Sequence, residues 1–417
     1  MACAECGAQT AFVFRPLAAT TWTRLVPLKA ARPWRRLVLG MTAAMLLAPR
    51  PAAAEARLLV DVDSGRVLHA ENATYPWYPA STTKLMTAYV ILHAVKAGRI
   101  TLDSLFTVSA NAVAQQPTKM GFRAGTQVTV DNALKMLMVH SANDMAVLLA
   151  EGLDGSIEAF ATEMTQTAQQ LGMTQSNFVN PNGLPAEEQI TSARDLAILA
   201  RALIHDFPEY GLYWRIPAIR LGRRVMHNYN PLIDRYPGTD GMKTGFICAA
   251  GFNLVATATR GDRRLIAVVL GAHSSASRAL SAAQLFEKGF NGTGASWLLP
   301  ALGTVDQLTP IAAAPPDLHE EICGKHKSRA AESTEEDPQA ASSTGDLDPS
   351  SAFAALAQTL GAVHTAKPML AQLPPSMPPI DVFVGPPRKR PALASVPTAS
   401  ATPAPAAVPV PRPRPRS

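Results

Sequence analysis

The sequence predicts an α/β (α+β) domain whose antiparallel sheet is built from both ends of the domain, and three observations carry that prediction. Near the start, "ARLLVDVDSGRVLHA" sets apolar runs on either side of Asp63-Ser64-Gly65, a hairpin signal. Helical periodicity fills the middle, over 85–95, 132–139, 145–153, 157–171 and 194–205. Towards the end, "GFNLVATATRGDRRLIAVVLGAH" reads as two long strands joined at Arg260-Gly261-Asp262, and "SRALSAAQLFEKGF" closes as a helix. Strands at both termini with helices between them describe such a mixed domain.

What precedes the first hairpin reads as a leader. Arg32, Arg35 and Arg36 stand before twelve uncharged, mostly apolar residues, Leu37 to Ala48, and small residues follow at Ala52, Ala53 and Ala54. Twelve residues are too few to span a bilayer, which takes about 20, and this order is that of a secretory signal cleaved near Ala54. A short core helix is the other reading, and Pro49 and Pro51 argue against it. Residues 1–54 are therefore set aside as a leader with signal peptide, and the mature chain is expected to be exported, to the periplasm or cell envelope, without a transmembrane span.

Beyond the closing helix the composition changes. From Pro368 onward the chain holds 15 of its 35 prolines, and "ATPAPAAVPVPRPRPRS" can bury little apolar surface. The stretch before it, "GKHKSRAAESTEEDPQAASSTGDLDPSS", is polar. Folded structure is expected to end near residue 300, giving a catalytic domain over 55–297 and a largely disordered Pro/Ala-rich tail over 298–417. The helical stretch "SAFAALAQTLGAVH" in that tail has no basic face, so it does not read as a membrane-surface anchor.

The formal charge of +6 over 417 residues lies partly in the leader and in Arg412, Arg414 and Arg416, and no aromatic-interleaved basic strip or nucleic-acid module accompanies it. Cys3 and Cys6 form a lone CxxC inside the leader; Cys248 reads as a small buried hydrophobe and Cys323 as an unpaired thiol, so no disulfide is expected. None of the nine histidines shows HExxH or similar zinc spacing; His319, Cys323 and His326 lie close in sequence but read as solvated residues. His140 reads as a core or capping histidine beside Ser141.

Three short stretches carry chemistry. In "PASTTKLMTAYV", Ser81 and Lys84 are three positions apart at a helix start and share a face. Ser81 as a helix cap with Lys84 as a solvated charge is one reading. The other is a nucleophile with its own base; a lysine serves so only when uncharged, a state favoured by burial or by a second cation. In "VHSANDMAVLLAEGL", Ser141 and Asn143 fit either an N-cap or a polar hook, Ser141 relaying a proton and Asn143 bonding to a peptide backbone. In "DGMKTGFICAAGFNLV", Gly245 lies on a strand, where glycine permits close approach of another backbone, here an extended peptide. Lys243 would be the second cation and Thr244 a carboxylate ligand.

Ser81 and Lys84, Ser141 and Asn143, then Lys243 to Gly245 match in order the SxxK, SxN and KTG set of penicillin-binding proteins and class A β-lactamases. Over about residues 56–295, including "FVNPNGLP", "SARDLAILARALI" and "DGMKTGF", the sequence resembles the D-alanyl-D-alanine carboxypeptidases among the low-molecular-mass penicillin-binding proteins. The resemblance implies a β-lactamase/DD-peptidase-like fold with helices on both faces of the sheet. It implies that Ser81 is acylated, that Lys84 is its base, and that Ser141 relays the proton. Asn143, Lys243, Thr244, Gly245, Phe246 and Arg278 would bind the substrate, Arg278 through its terminal carboxylate. The oxyanion hole would be the backbone N–H groups of Ser81 and Phe246. The substrate implied is a peptidoglycan stem peptide, β-lactams are the inhibitors, and neither metal nor organic cofactor is needed.

Alternatives are a DD-endopeptidase or transpeptidase of the same chemistry, a β-lactamase, and a non-catalytic wall-binding scaffold. No ExxLN-type stretch, which would carry a β-lactamase's deacylating glutamate, stands between the second and third motifs. Many members of the family carry a second, β-rich domain and an amphipathic membrane helix after the catalytic domain; here the Pro/Ala-rich tail stands in their place. Some have a histidine where this chain has Phe246.

Overall fold

The computed structural model describes residues 55–292, 302–324 and 369–386. The leader, the polar stretch, the helical stretch of the tail and the C-terminal arginines lie outside the described residues.

Strand β1 (Ala56–Asp61) returns as β2 (Val67–Glu71) through a turn in which Ser64 donates from its backbone N–H and its hydroxyl to Asp61 Oδ1, and Gly65 takes φ +69°. The second hairpin is β8 (Gly251–Arg260) and β9 (Arg263–Ala272), preceded by β7 (Thr239–Ile247). One five-stranded antiparallel sheet results, in the order β2-β1-β9-β8-β7. Pairing of β1 with β9, from Ala56↔Leu270 to Asp61↔Leu265, joins the two ends of the domain. Consecutive residues of β8 and β9 are buried, so both sheet faces are covered, which is why these strands read as continuous apolar runs rather than alternating ones.

Helix α8 (Ser275–Asn291) packs on the sheet; it starts in a capping box between Ser274 and Ser277. A Cβ at its Gly289 would lie within 2.7 Å of the Leu59 and Leu265 methyls, so the absence of a side chain sets how closely helix and sheet approach. Helix α6 (Ala193–Asp206), capped by Ser192, also packs on β1 and β9, and its Arg201 donates to Val62 O at 2.9 Å. The remaining long helices are α1 (Lys84–Lys96), α3 (Val130–Val139), α4 (Asn143–Asp154) and α5 (Ile157–Gln170). Helix α1 is buried nearly all round, which marks it as the central element of the helical layer.

All five internal helices and both hairpins lie where periodicity put them. The pieces that periodicity did not reveal are small: β3 (Leu105–Thr107) paired with β4 (Gln127–Thr129), the five-residue α2 (Ala110–Ala114), the four-residue α7 (Leu212–Arg215), and the hairpin β5 (Ala218–Leu221) with β6 (Arg224–His227). Segments of three to five residues are shorter than one period of a convincing pattern.

Two expectations are corrected. Folded structure does not stop near residue 300: Val305 is fully buried, with Val67 donating to Gly303 O and Val305 donating to Gly65 O, both at 2.9 Å. Helix α9 (His319–Cys323) follows, with Leu318 and Ile322 buried. Later, β10 (Ile380–Asp381) pairs in parallel with β5, Val382 is buried, and Phe383 donates its N–H to Asn132 Oδ1. Each attachment uses isolated apolar residues and backbone donors, which composition averaged over a Pro-rich stretch cannot reveal. Second, Cys248 and Cys323 are disulfide-bonded, their Cα atoms 5.7 Å apart and 75 positions apart in sequence. Cys248 is half-buried rather than a core residue, and Cys323 is neither a free thiol nor available as a metal ligand beside His319.

Candidate active site

The turn carrying Ser81 is a 3-10 helix, Ala80–Thr83, that runs into α1, so Lys84 is the first α-helical residue. Its N-cap is Pro79 and no side chain caps it, so Ser81 is not a capping serine. Ala80 is held at φ +47°, a left-handed conformation that costs a non-glycine residue on the order of 1–3 kcal/mol and persists only where the surroundings impose it. Those surroundings are specific. Thr82 donates from its hydroxyl to Pro79 O at 2.7 Å, and Asn253 Nδ2 donates to Tyr78 O at 2.9 Å and Pro79 O at 3.2 Å.

Lys84 is fully buried, and its Nζ lies 2.9 Å from Ser81 Oγ, 2.8 Å from Asn143 Oδ1 and 2.6 Å from Asn182 O. The Asn143 amide is oriented by its other end, where Nδ2 donates to Gln116 O at 2.9 Å and Pro117 O at 3.1 Å. Its oxygen therefore faces Lys84. Asn143 thus bonds on both sides within the protein and holds Lys84, a contact the motif alone did not indicate.

Ser141 sits between α3 and α4 at φ +56°. The N-cap of α4 is Ala142 and makes no side-chain cap bond, so the capping reading of Ser141 and Asn143 fails. The Ser141 hydroxyl instead accepts from Lys243 Nζ at 3.0 Å, and Lys243 also donates to Thr244 O at 3.1 Å. His140 caps the C-terminus of α3 and is buried against Tyr229, its Nδ1 3.3 Å from the Tyr229 hydroxyl. The adjoining loop is held by Asp144: Oδ1 accepts from Met120 N at 3.0 Å and Oδ2 from Gly121 N at 2.9 Å. Burial raises the Asp144 carboxyl above the usual carboxylate range, and those backbone donors pull it back.

Strand β7 brings Lys243, Thr244 and Gly245 alongside the turn that carries Ser81. A Cβ at Gly245 would lie 2.8 Å from Ser81 N and 3.0 Å from Thr82 N, so only glycine lets this strand pass the turn, and the Ser81 N–H lies beside the strand that carries Phe246. Phe246 is half-buried, its ring 4.3 Å from that of Phe252. Thr244 is buried. Arg278 is fully buried, donates to Asn253 O at 3.0 Å and Gly245 O at 3.4 Å, and lies over the Phe252 ring. It thereby supports the carbonyls of β7 and β8.

The sequence reading missed the residues that hold these groups. Asn182 and Gly183 belong to "FVNPNGLP", whose Asn-Gly pair signals a turn, but nothing in the pattern shows that Asn182 O ends on Lys84. Gly183 has φ +83°, and a Cβ there would lie 1.9 Å from Ala80 O. Gly183→Ala is expected to destabilise the protein by on the order of 1–3 kcal/mol, since backbone must move to relieve the clash; a thermal unfolding midpoint equal to wild type contradicts this.

Among the described residues, no helix is long and apolar enough to cross a membrane.

A family model described as D-alanyl-D-alanine carboxypeptidase matches residues 43–274. The chain is 38% identical over 274 residues to D-alanyl-D-alanine carboxypeptidase DacC of Escherichia coli (strain K12), covering 61% of this chain and 68% of that one. To DacA of the same organism it is 37% identical over 244 residues, covering 57% and 60%. The chain thus spans about two thirds of the length of these relatives or less. Among solved structures, penicillin binding protein 5 from Haemophilus influenzae matches with a TM-score of 0.55 at 35% identity, over 59% of this chain and 73% of that one. Penicillin-binding protein D2 from Listeria monocytogenes, in its ampicillin-bound form, matches with a TM-score of 0.50 at 30% identity, over 58% and 99%.

Proposed function

Given that the chain belongs to the D-alanyl-D-alanine carboxypeptidase family, we propose that it removes the terminal D-alanine from peptidoglycan stem pentapeptides through an acyl-enzyme on Ser81, and that β-lactams acylate the same hydroxyl. The observation that carries this reading is the environment of Lys84 Nζ. Two of its neighbours, Asn143 Oδ1 and Asn182 O, are carbonyl oxygens and can only accept. An uncharged amine has two N–H groups for them and one lone pair, which then meets the Ser81 hydroxyl proton. After proton transfer the ammonium keeps both bonds and donates its third hydrogen to Oγ. The proton moves without rearrangement of the site, as a base for a serine nucleophile requires.

Ser81 Oγ attacks the carbonyl between the last two D-alanines as Lys84 takes its proton. Negative charge gathers on the carbonyl oxygen, and the backbone N–H groups of Ser81 and Phe246 receive it, each such contact being worth about 3–4 kcal/mol. The C–N bond breaks as the proton passes through Ser141 to the leaving D-alanine nitrogen; Lys243, bonded to the Ser141 hydroxyl, holds that relay and adds positive charge beside it. Water then hydrolyses the ester, returning Ser81. The substrate lies extended along β7, the outer strand of the five-stranded sheet.

Export to the periplasm or cell envelope completes the reading. It is supported by the Arg-rich, apolar, small-residue order of the leader and by the Cys248–Cys323 disulfide, a bond that persists in oxidising compartments.

The test is D-alanine release from a pentapeptide by the purified chain, with cross-linked dimers as the competing substrate. Release is expected from the pentapeptide and is lost in Ser81→Ala. Cleavage of dimers alone points to an endopeptidase, and no release with no penicillin adduct points to a scaffold.

A further inference from the structure

Asn253 is fully buried on β8, at the one irregularity of the β8–β9 pairing, where the register shifts between Phe252 and Leu254. A bulge re-aims side chains and removes ladder partners. Here Gly271 N–H donates at 3.1 Å to the Asn253 side-chain oxygen. That bond fixes the amide, and its Nδ2 is directed at Tyr78 O and Pro79 O, three and two residues before Ser81.

Everything around this amide serves the same contact. Gly271 has φ +84°, and a Cβ there would lie 2.3 Å from the Trp77 ring, so only glycine allows Trp77 to settle against the bulge. Trp77 in turn donates from its indole to Ala250 O at 2.9 Å. Asn253 pairs directly with Gly245, the residue that passes within contact of Ser81 N, and Arg278 bonds the carbonyls of both. The strained Ala80 lies between the anchored carbonyl of Pro79 and Ser81.

We propose that Asn253 is a positioning residue for acylation: it clamps the turn ahead of Ser81 to the sheet and so sets the nucleophile, and the Ser81 N–H, against strand β7. Its side chain bonds Tyr78 O, Pro79 O and Gly271 N–H, and it acts on Ser81 through the first two. The proposal rests on Ser81 being the acylated residue. Misplacing a reacting group by about 1 Å can cost about 100-fold in rate. Loss of the clamp therefore acts on the chemical step, with little effect on non-covalent binding.

The experiment is rapid-mixing acylation by a fluorescent penicillin, which separates the binding constant from the acylation rate constant. It uses the full chain as wild type, Asn253→Ala, Asn253→Asp and Val268→Ala. Asp keeps the volume and the acceptor for Gly271 N–H and, when ionised at raised assay pH, offers no donor to Tyr78 and Pro79. Val268→Ala opens the buried neighbouring strand without touching the clamp. Both Asn253 variants are expected to lose about 10- to 100-fold in acylation rate with the binding constant within about twofold of wild type. Val268→Ala, despite a lowered melting temperature, keeps the wild-type rate. Wild-type acylation in Asn253→Asp, a loss shared equally by Val268→Ala, or failure of both Asn253 variants to fold overturns the proposal. A wild-type chain that forms no adduct overturns the reading of Ser81 instead.

Discussion

Lys84→Ala is expected to slow acylation of Ser81 by benzylpenicillin on the order of 10²–10⁴-fold, the usual contribution of a positioned general base. The substitution removes the amine that lies 2.9 Å from Ser81 Oγ, and with it the proposed route by which the hydroxyl proton leaves. It also leaves Asn143 Oδ1 and Asn182 O without the donor they share, so the variant should lose stability as well as activity. Mass spectrometry at fixed times, with circular dichroism to confirm folding, separates the two. An adduct formed at the wild-type rate in folded Lys84→Ala removes Lys84 as the base. Ser81→Ala should form none, whatever its stability.

Breaking the Cys248–Cys323 bond is expected to have the largest effect on stability. Cross-linking residues 75 positions apart restricts the unfolded chain, a term worth about 4 kcal/mol in the chain-entropy account. Cys323→Ser, or wild type treated with reductant, should therefore lower the unfolding free energy extrapolated from urea titration by a similar amount, and reductant should not lower that of the variant further. A reduced wild type as stable as the oxidised protein would remove the bond from the forces holding α9. The bond joins the chain two residues beyond Phe246 to α9, whose neighbour Leu318 donates its N–H to Ala249 O. Activity is thus expected to be less affected than stability, since Gly245 is held independently by Arg278.

Much of this was legible in the sequence for reasons that are local. Helices α1, α3, α4, α5 and α6 each present enough residues for a 3.6-residue period to emerge, and both hairpins carry turn residues between apolar runs. Ser81 and Lys84 are one helical turn apart, so their meeting follows from helix geometry. The pairing of Lys243 with Ser141 does not follow in that way, because it joins a strand to a turn a hundred positions earlier. The resemblance of three motifs to a known set in order placed both residues in one site, with Lys243 as a second cation, but did not give their bond to each other.

What stayed hidden depends on groups that carry no pattern. Asn182 acts through a backbone oxygen, which every residue has. Asn253 lies inside a run that reads simply as strand, and its meaning arises from a bulge in the neighbouring strand. Cys248 and Cys323 gave no spacing signal, and the residues that dock the later segments, Val305, Ile322 and Val382, stand in stretches broken by prolines and without a sustained helical or strand period.

The sequence by itself determined the long elements, their order and the chemically capable side chains, since these follow from periodicity and from residue type. Tertiary structure alone decided that Asn143 faces Lys84, that Arg278 supports a strand, that two distant cysteines join, and that the turn before Ser81 is held at a left-handed Ala80. Each of these is a contact between residues far apart in the chain, chosen by packing and by the need of buried polar groups for partners, and neither requirement is written in any short stretch.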